Sequence, residues 1–176
     1  MDKKTARSIG LSARAGIPAD RRTQYDADLL RQMKELADNC TMIGCYVSMK
    51  DEADTLAFLD WCFQQHRPVA VPLVEGNTLT FHRITSMQDL HPGTFGVLEP
   101  SGEHAVDSMD IDLMFVPLSS FDRRNHRTGY GRGYYDSVLT SGMYKVGIAY
   151  PEQRVDSIDA DPWDVPLDQI LVANAD

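Results

Sequence analysis

Short apolar runs spaced by helical patterns limit this chain to few architectures. Residues 41–47 (Thr-Met-Ile-Gly-Cys-Tyr-Val), 69–74, 112–117 (with Leu-Met-Phe-Val at its centre) and 146–150 read as buried strands. Residues 79–84, after a Glu75-Gly76-Asn77 turn, and residues 170–172 read as two further strands. Between them, residues 52–65 read as a helix with Leu56, Leu59 and Phe63 inward. A second helix is expected from Tyr134 to about Gly142. Two helices come first. Residues 2–15 place Lys3 and Arg7 on one face. After Gly16-Ile17 breaks that helix, Pro18 suits the first turn of the next, where Tyr25, Leu29, Met33 and Leu36 recur at helical spacing and Leu30 widens the stripe. Residues 85–110 read as loop with one helical turn near Met87, and residues 119–133 as a long polar loop. Strand, helix, strand in repetition predicts an α/β layered sandwich, its largely parallel central sheet flanked by helices. Ligands then bind outside the C-terminal strand ends, which here carry loops 48–52, 118–134 and 150–164.

With 176 residues, the chain is expected to form a single domain over 1–176. Its 43% hydrophobic content supports a packed core without disulfides or a structural metal. A net charge of -9 argues against nucleic-acid binding. Against that acidic balance, Arg123, Arg124, Arg127 and Arg132 gather in one loop, which suggests an anionic ligand there. Cys40, Cys45 and Cys62 lack the CxxC spacing and read as buried thiols of a reducing compartment. No run approaches the ~20 apolar residues of a membrane span, and no apolar stretch follows the N-terminal charges. A cytoplasmic protein, monomeric or a weak homodimer, is expected.

The segment Arg127-Thr128-Gly129-Tyr130-Gly131-Arg132-Gly133-Tyr134-Tyr135-Asp136 is the richest in the chain. Glycines at every second position, after a strand and before a helix, let backbone N–H groups approach one anion. Arg127 and Arg132 add full positive charges, and Asp136 suits a phosphate site if Mg²⁺ lies between. The spacing matches neither the Walker loop nor the dinucleotide fingerprint. Taken alone, the glycines are equally compatible with a flexible surface loop.

This segment, preceded by Asp112-Leu113-Met114-Phe115-Val116-Pro117 and Phe121-Asp122, resembles the signature of the 5-formyltetrahydrofolate cyclo-ligase family. The resemblance extends along the chain through Lys3 and Arg7, Ser48 to Glu52 with Asp54-Thr55, Glu99-Pro100, Gly147-Ile148-Ala149-Tyr150, Gln153, Asp164 and Asp168. Leu118, Asn125, Thr128 and Trp163 depart from the pattern. Asn125 tolerates left-handed geometry, and Leu118 and Trp163 are candidates for the folate side of the cleft.

The resemblance implies ATP as co-substrate, Mg²⁺ as cofactor and a reduced folate as substrate. It places Lys3, Arg7, Arg127, Gly129, Tyr130, Gly131, Arg132, Gly133, Tyr134 and Tyr135 on ATP. Arg127, Arg132 and Tyr134 are the implied catalytic residues; Met49, Glu52, Phe81 and Tyr135 face the folate; Asp136 and Asp164 hold the metal. Residue by residue, blander readings stay open. Lys3 and Arg7 also read as solvated helix charges and Glu52 as a charge at a helix N-terminus. Met49, Phe81 and Tyr135 also read as core, Asp164 as a solvated acid, and all five histidines as structural or surface. A diverged relative with another substrate, or a nucleotide-binding regulator, are the alternative functions.

Overall fold

The computed structural model describes residues 1–49, 51–139 and 142–174. In chain order the elements are α1 (Lys3–Ala15), α2 (Ala19–Ala37), β1 (Ile43–Cys45), α3 (Leu56–Gln64), β2 (Val69–Glu75) and β3 (Thr78–Ile84). There follow β4 (Leu90–Pro92), β5 (Leu98–Pro100), β6 (Ala105–Val106), β7 (Leu113–Val116), β8 (Ser120–Phe121) and β9 (Arg127–Thr128). Last come α4 (Tyr134–Val138), β10 (Tyr144–Ala149) and β11 (Gln169–Val172).

Seven strands form the central sheet in the order β11-β10-β7-β1-β2-β3-β6. The pairings from β11 through β2 are parallel, as the buried apolar runs predict, while β3 and β6 join antiparallel at one edge. From β1 the chain runs outward through β2 and β3, then returns to β7 on the other side of β1 and continues to β10 and β11. Strand order therefore reverses between β1 and β7, and the loops leaving their C-terminal ends diverge around a crevice.

Alternation along the strands divides the core in two. Val69, Val71, Phe115, Val146 and Ile148 face one way, onto Tyr25, Leu29 and Met33 of α2 and Phe58, Leu59 and Cys62 of α3. Ala70, Met114, Val116 and Ala149 face the other way, onto Val138 and Leu139 around α4. Fully burying a side chain of this size contributes roughly 1.5–3 kcal/mol, so these two layers hold the sandwich together.

Several local expectations are corrected. The helix expected over 52–65 begins only at Leu56, where Asp54 accepts hydrogen bonds from the Leu56 and Ala57 amides at 3.3 Å each. Glu52 therefore lies outside the helix, which removes its reading as a helix-terminal charge. Pro18 is the residue before α2 rather than part of its first turn. The polar stretch 119–133 contains the β8–β9 hairpin, and 85–110 contains the β4–β5 hairpin and β6. The helical turn near Met87 is present as a 3-10 turn over Met87–Asp89. Lys50 in the expected 48–51 turn, and residues 140–141 near the expected end of α4, lie outside the described residues. Cys40, Cys45 and Cys62 are all free, and burial pushes the Cys62 thiol up to about 12. No described helix is long and apolar enough to cross a membrane.

Helix α1 packs on the loops at the C-terminal strand ends. Asp2 caps it by accepting from the Thr5 amide at 2.7 Å. At Gly10 its backbone lies so close to β8 that an added β-carbon would stand 1.9 Å from the Ser119 carbonyl oxygen. In an exposed helix a Gly→Ala change stabilises by about 1 kcal/mol. Here Gly10→Ala should instead destabilise by about 1–3 kcal/mol, because α1 must move off the sheet. Urea unfolding measures this, and a stabilised variant would contradict the docking.

Candidate active site

A cavity of about 690 Å³ opens at the crevice between β1 and β7. It is walled by α1, the loop after β1, the β2–β3 hairpin, the glycine loop and residues near 158–165. Of the expected site residues, all but Phe81 line it. Phe81 is buried behind the wall, edge-on to Tyr135 with ring centroids 6.4 Å apart, so it supports a lining residue without facing the cavity. Leu118 and Trp163 do not line it either. Leu118 is buried in the second core layer and Trp163 is 74% exposed.

The glycine loop is set by its arginines. Arg127 is largely buried, donates from Nε to the Pro117 carbonyl at 3.1 Å and lies over the Tyr135 ring at 5.7 Å. Burial pulls its pKa below the ordinary value, with Asp136 opposing, yet a guanidinium stays protonated in proteins. Gly129 leaves room for it, since a β-carbon there would stand 2.7 Å from Arg127 Nη2. Arg7 reaches across from α1 to donate from Nε to the Gly129 carbonyl at 2.9 Å. Gly131 and Gly133 take positive φ of 85° and 69°, and α4 starts directly after them with Tyr134 half-buried. Arg132 extends over the Phe95 ring at 4.1 Å, which spans the mouth between the glycine loop and the tip of the β4–β5 hairpin.

Asp122 fixes this loop from beneath. It is buried; its Oδ1 accepts from the amides of Arg124 and His126 at 3.0 Å each, and its Oδ2 accepts from the Ile158 amide at 2.9 Å and lies 3.2 Å from His126 Nδ1. One carboxylate thus ties the β8–β9 turn to the loop after β10. That turn includes Asn125, at φ 63°, the left-handed geometry its residue type allows. His126, read from sequence as structural or surface, both pairs with Asp122 and lines the cavity.

The opposite wall carries Glu52, buried at 7% exposure. Its Oε1 accepts from the Met49 amide at 2.9 Å and its Oε2 from the Tyr130 hydroxyl at 2.9 Å. The loop around it is braced by Thr55. That hydroxyl donates to the Tyr46 carbonyl at 2.7 Å and accepts from the Ser48 amide at 2.9 Å, while Ser48 Oγ accepts from the Thr55 amide at 3.0 Å. Burial first, then the charge of Glu52, raises the pKa of both Tyr130 and Tyr135, so both remain hydrogen-bond donors.

The two expected metal carboxylates differ in setting. Asp136 is exposed in the cavity wall, 4.0 Å from Arg127 Nη1. Asp164 accepts from the Asp161 amide at 2.8 Å and pairs with Lys3 Nζ at 2.5 Å. Burial opposes charge on both Lys3 and Asp164, but their mutual bond and the neighbouring Asp161 outweigh it, raising the lysine and lowering the aspartate. Among the described residues no three His, Cys, Asp or Glu are gathered as a complete protein cage. Two carboxylates beside an arginine-rich glycine loop are a donor set that fits Mg²⁺, which takes few protein ligands and keeps several waters.

Sequence reasoning missed Arg14, Phe95 and Val97 in the lining. For Arg14 a signal existed: Lys3, Arg7, Gly10 and Arg14 recur at steps of four, three and four, which is one face of a helix. Phe95 and Val97 reach the cavity on a hairpin of three-residue strands that carries no periodic signal.

Crevice, arginine-braced glycine loop and facing buried carboxylate define an α/β protein with an enzyme-like cleft at the strand-order switch. The model of the 5-formyltetrahydrofolate cyclo-ligase family matches residues 1–173. A Haemophilus influenzae protein named 5-formyltetrahydrofolate cyclo-ligase is 32% identical over 159 residues, covering 85% of this chain and 82% of that one. A Mycoplasma genitalium protein of the same name is 28% identical over 97% of this chain and 98% of its own. The solved 5,10-methenyltetrahydrofolate synthetase of Aquifex aeolicus superposes with a TM-score of 0.86 at 29% identity, covering 97% of this chain and 89% of that one. The chain belongs to the 5-formyltetrahydrofolate cyclo-ligase family and is a ligase.

Asp122→Asn should cost about 2–3 kcal/mol, because an amide offers one acceptor where three N–H groups and His126 converge. Burial raises the Asp122 pKa but its donors outweigh burial and hold it below the usual range. Its stabilisation is therefore complete above the unfolded value of ~3.9 and is lost as pH falls through the lower folded value. Denaturant unfolding from pH 7 to 2 should show parent and variant converging in acid; a constant gap would contradict the assignment.

Proposed function

We propose that this chain closes 5-formyltetrahydrofolate to 5,10-methenyltetrahydrofolate, converting ATP to ADP and phosphate. The observation that carries the reading is the pairing, across one cavity, of the arginine-braced glycine loop with the buried carboxylate of Glu52. A formamide oxygen is a poor leaving group. Attack of that oxygen on the γ-phosphorus forms a new P–O bond and releases ADP. Attack by N10 on the activated formyl carbon then forms the second C–N bond, expels phosphate and loses the N10 proton. No protein nucleophile is needed, so the enzyme contributes position and charge.

Arg7, Arg127 and Arg132 face the triphosphate, with the amides of Gly129, Gly131 and Gly133 beneath it. Lys3 lies at the same end, oriented by Asp164. Bound Mg²⁺ would supply charge neutralisation on the phosphate oxygens, and Asp136 and Asp164 are the residues that would hold it. Glu52 accepts the adjacent ring N–H and amino group of the pterin. Met49 and Tyr135 pack on the flat rings, and Tyr134 orients the formyl group or a phosphate.

Three measurements test this. Methenyl product, followed by its absorbance, should appear only with ATP and a divalent cation; equal turnover in EDTA would overturn the reading. Arg132→Ala should lower kcat/KM by about 2–4 kcal/mol of transition-state stabilisation, with Arg132→Lys milder. Glu52→Gln should weaken folate binding or turnover roughly 10–1000-fold while ATP·Mg²⁺ still binds, and Asp136→Asn should do the reverse. Calorimetric titration of each variant with each ligand separates the two halves, and unchanged folate binding by a well-folded Glu52→Gln protein would remove the pterin role.

A further inference from the structure

Tyr130 belongs to both halves of the cavity. Its backbone is part of the glycine loop, between a Gly129 whose carbonyl accepts from Arg7 Nε at 2.9 Å and a Gly131 held in positive φ. A β-carbon on Gly131 would stand 3.4 Å from Arg7 Cζ, so the same arginine borders the loop on both sides of Tyr130. The side chain then leaves the loop. Although the residue is 44% exposed, its hydroxyl reaches across the cavity to donate to Glu52 Oε2 at 2.9 Å and accept from Arg14 Nη1 at 3.0 Å.

Arg14 explains why the hydroxyl stays there. It is 6% exposed, makes no ion pair among the described residues, and its Nε is buried without a hydrogen-bond partner. A buried guanidinium so poorly compensated is costly unless a negative charge acts on it. The Tyr130 hydroxyl links it to Glu52, orienting both the tyrosine and the carboxylate. Glu52 Oε1 is held in turn by the Met49 amide. A carboxylate offers about four lone-pair sites, so each oxygen keeps capacity for one more donor while its orientation is already set.

We infer that Tyr130 is a positioning residue that couples the two substrates: the loop conformation that cradles a polyphosphate is the one that sets Glu52 for a paired N–H donor. This rests on the proposed assignment of the glycine loop to nucleotide and of Glu52 to the pterin. Binding of either ligand stabilises the Tyr130–Glu52 contact that the other needs, and by linkage the effect is reciprocal.

The test is calorimetric titration of 5-formyltetrahydrofolate into parent and Tyr130→Phe proteins, each with and without a non-hydrolysable ATP analogue and Mg²⁺. In the parent, the analogue should tighten folate binding about fivefold or more. In Tyr130→Phe, which keeps the ring and loses only the hydroxyl, the ratio should fall to within about twofold of unity. A purely structural tyrosine would weaken both folate affinities in parallel and keep the ratio, and that result overturns the coupling. A parent ratio of one overturns it too. If the parent binds no 5-formyltetrahydrofolate at all, the functional reading falls and the coupling with it. Folate bound normally with an unchanged ratio in the variant removes the coupling alone.

Discussion

At Gly10 the backbone of α1 touches the Ser119 carbonyl just before β8, leaving no space for even one carbon atom. That contact decides where the charges of α1 lie. Gly10 shares a helical face with Lys3, Arg7 and Arg14, so seating it against the hairpin turns all three cations into the cavity. Arg7 then reaches the Gly129 carbonyl, Arg14 reaches the Tyr130 hydroxyl, and Lys3 reaches Asp164. A helix held one side chain farther out would leave these groups in solvent, where each charge contributes little.

The rest of the site follows from the sheet. Because strand order reverses between β1 and β7, the loop bearing Glu52 and the loop bearing Arg127 leave adjacent strands and diverge. Each loop is stiffened by its own polar knot, Thr55 with Ser48 and Tyr46 on one side, Asp122 with three amides and His126 on the other. These knots satisfy backbone groups that irregular chain would otherwise bury unpaired. The cations Lys3, Arg7, Arg14, Arg127 and Arg132 thereby line one cavity within a chain of net charge -9, interleaved with the carboxylates of Glu52, Asp136 and Asp164.

The sandwich was legible where periodicity was strong. Tyr25, Leu29 and Met33 mark α2, and the apolar runs at 69–74 and 112–117 mark strands buried on both faces. It was not legible in β4, β5, β8 and β9, which are two or three residues long and exist only because a partner segment lies beside them. Residues 52–55 illustrate the limit differently. Their composition suits a helix, yet bonds to Tyr46, Ser48 and Met49 hold them in a turn, so tertiary contacts override local propensity. Phe81 marks a third limit, since spacing cannot tell a ring that lines a cavity from one that supports the lining from behind.

The amino-acid sequence by itself determined the layers, the glycine- and arginine-rich make-up of residues 127–136 and the family to which the chain belongs. These depend on local chemistry: glycine's access to positive φ, arginine's permanent charge, and the period of apolar residues. Only the tertiary structure decided that Tyr130 meets Glu52 across 78 residues, that Arg14 is buried beside them, and that Lys3 pairs with Asp164. Those contacts depend on where helix α1 comes to rest and on which strands become neighbours. Both are set by packing between segments far apart in the chain, and no local pattern encodes that distance.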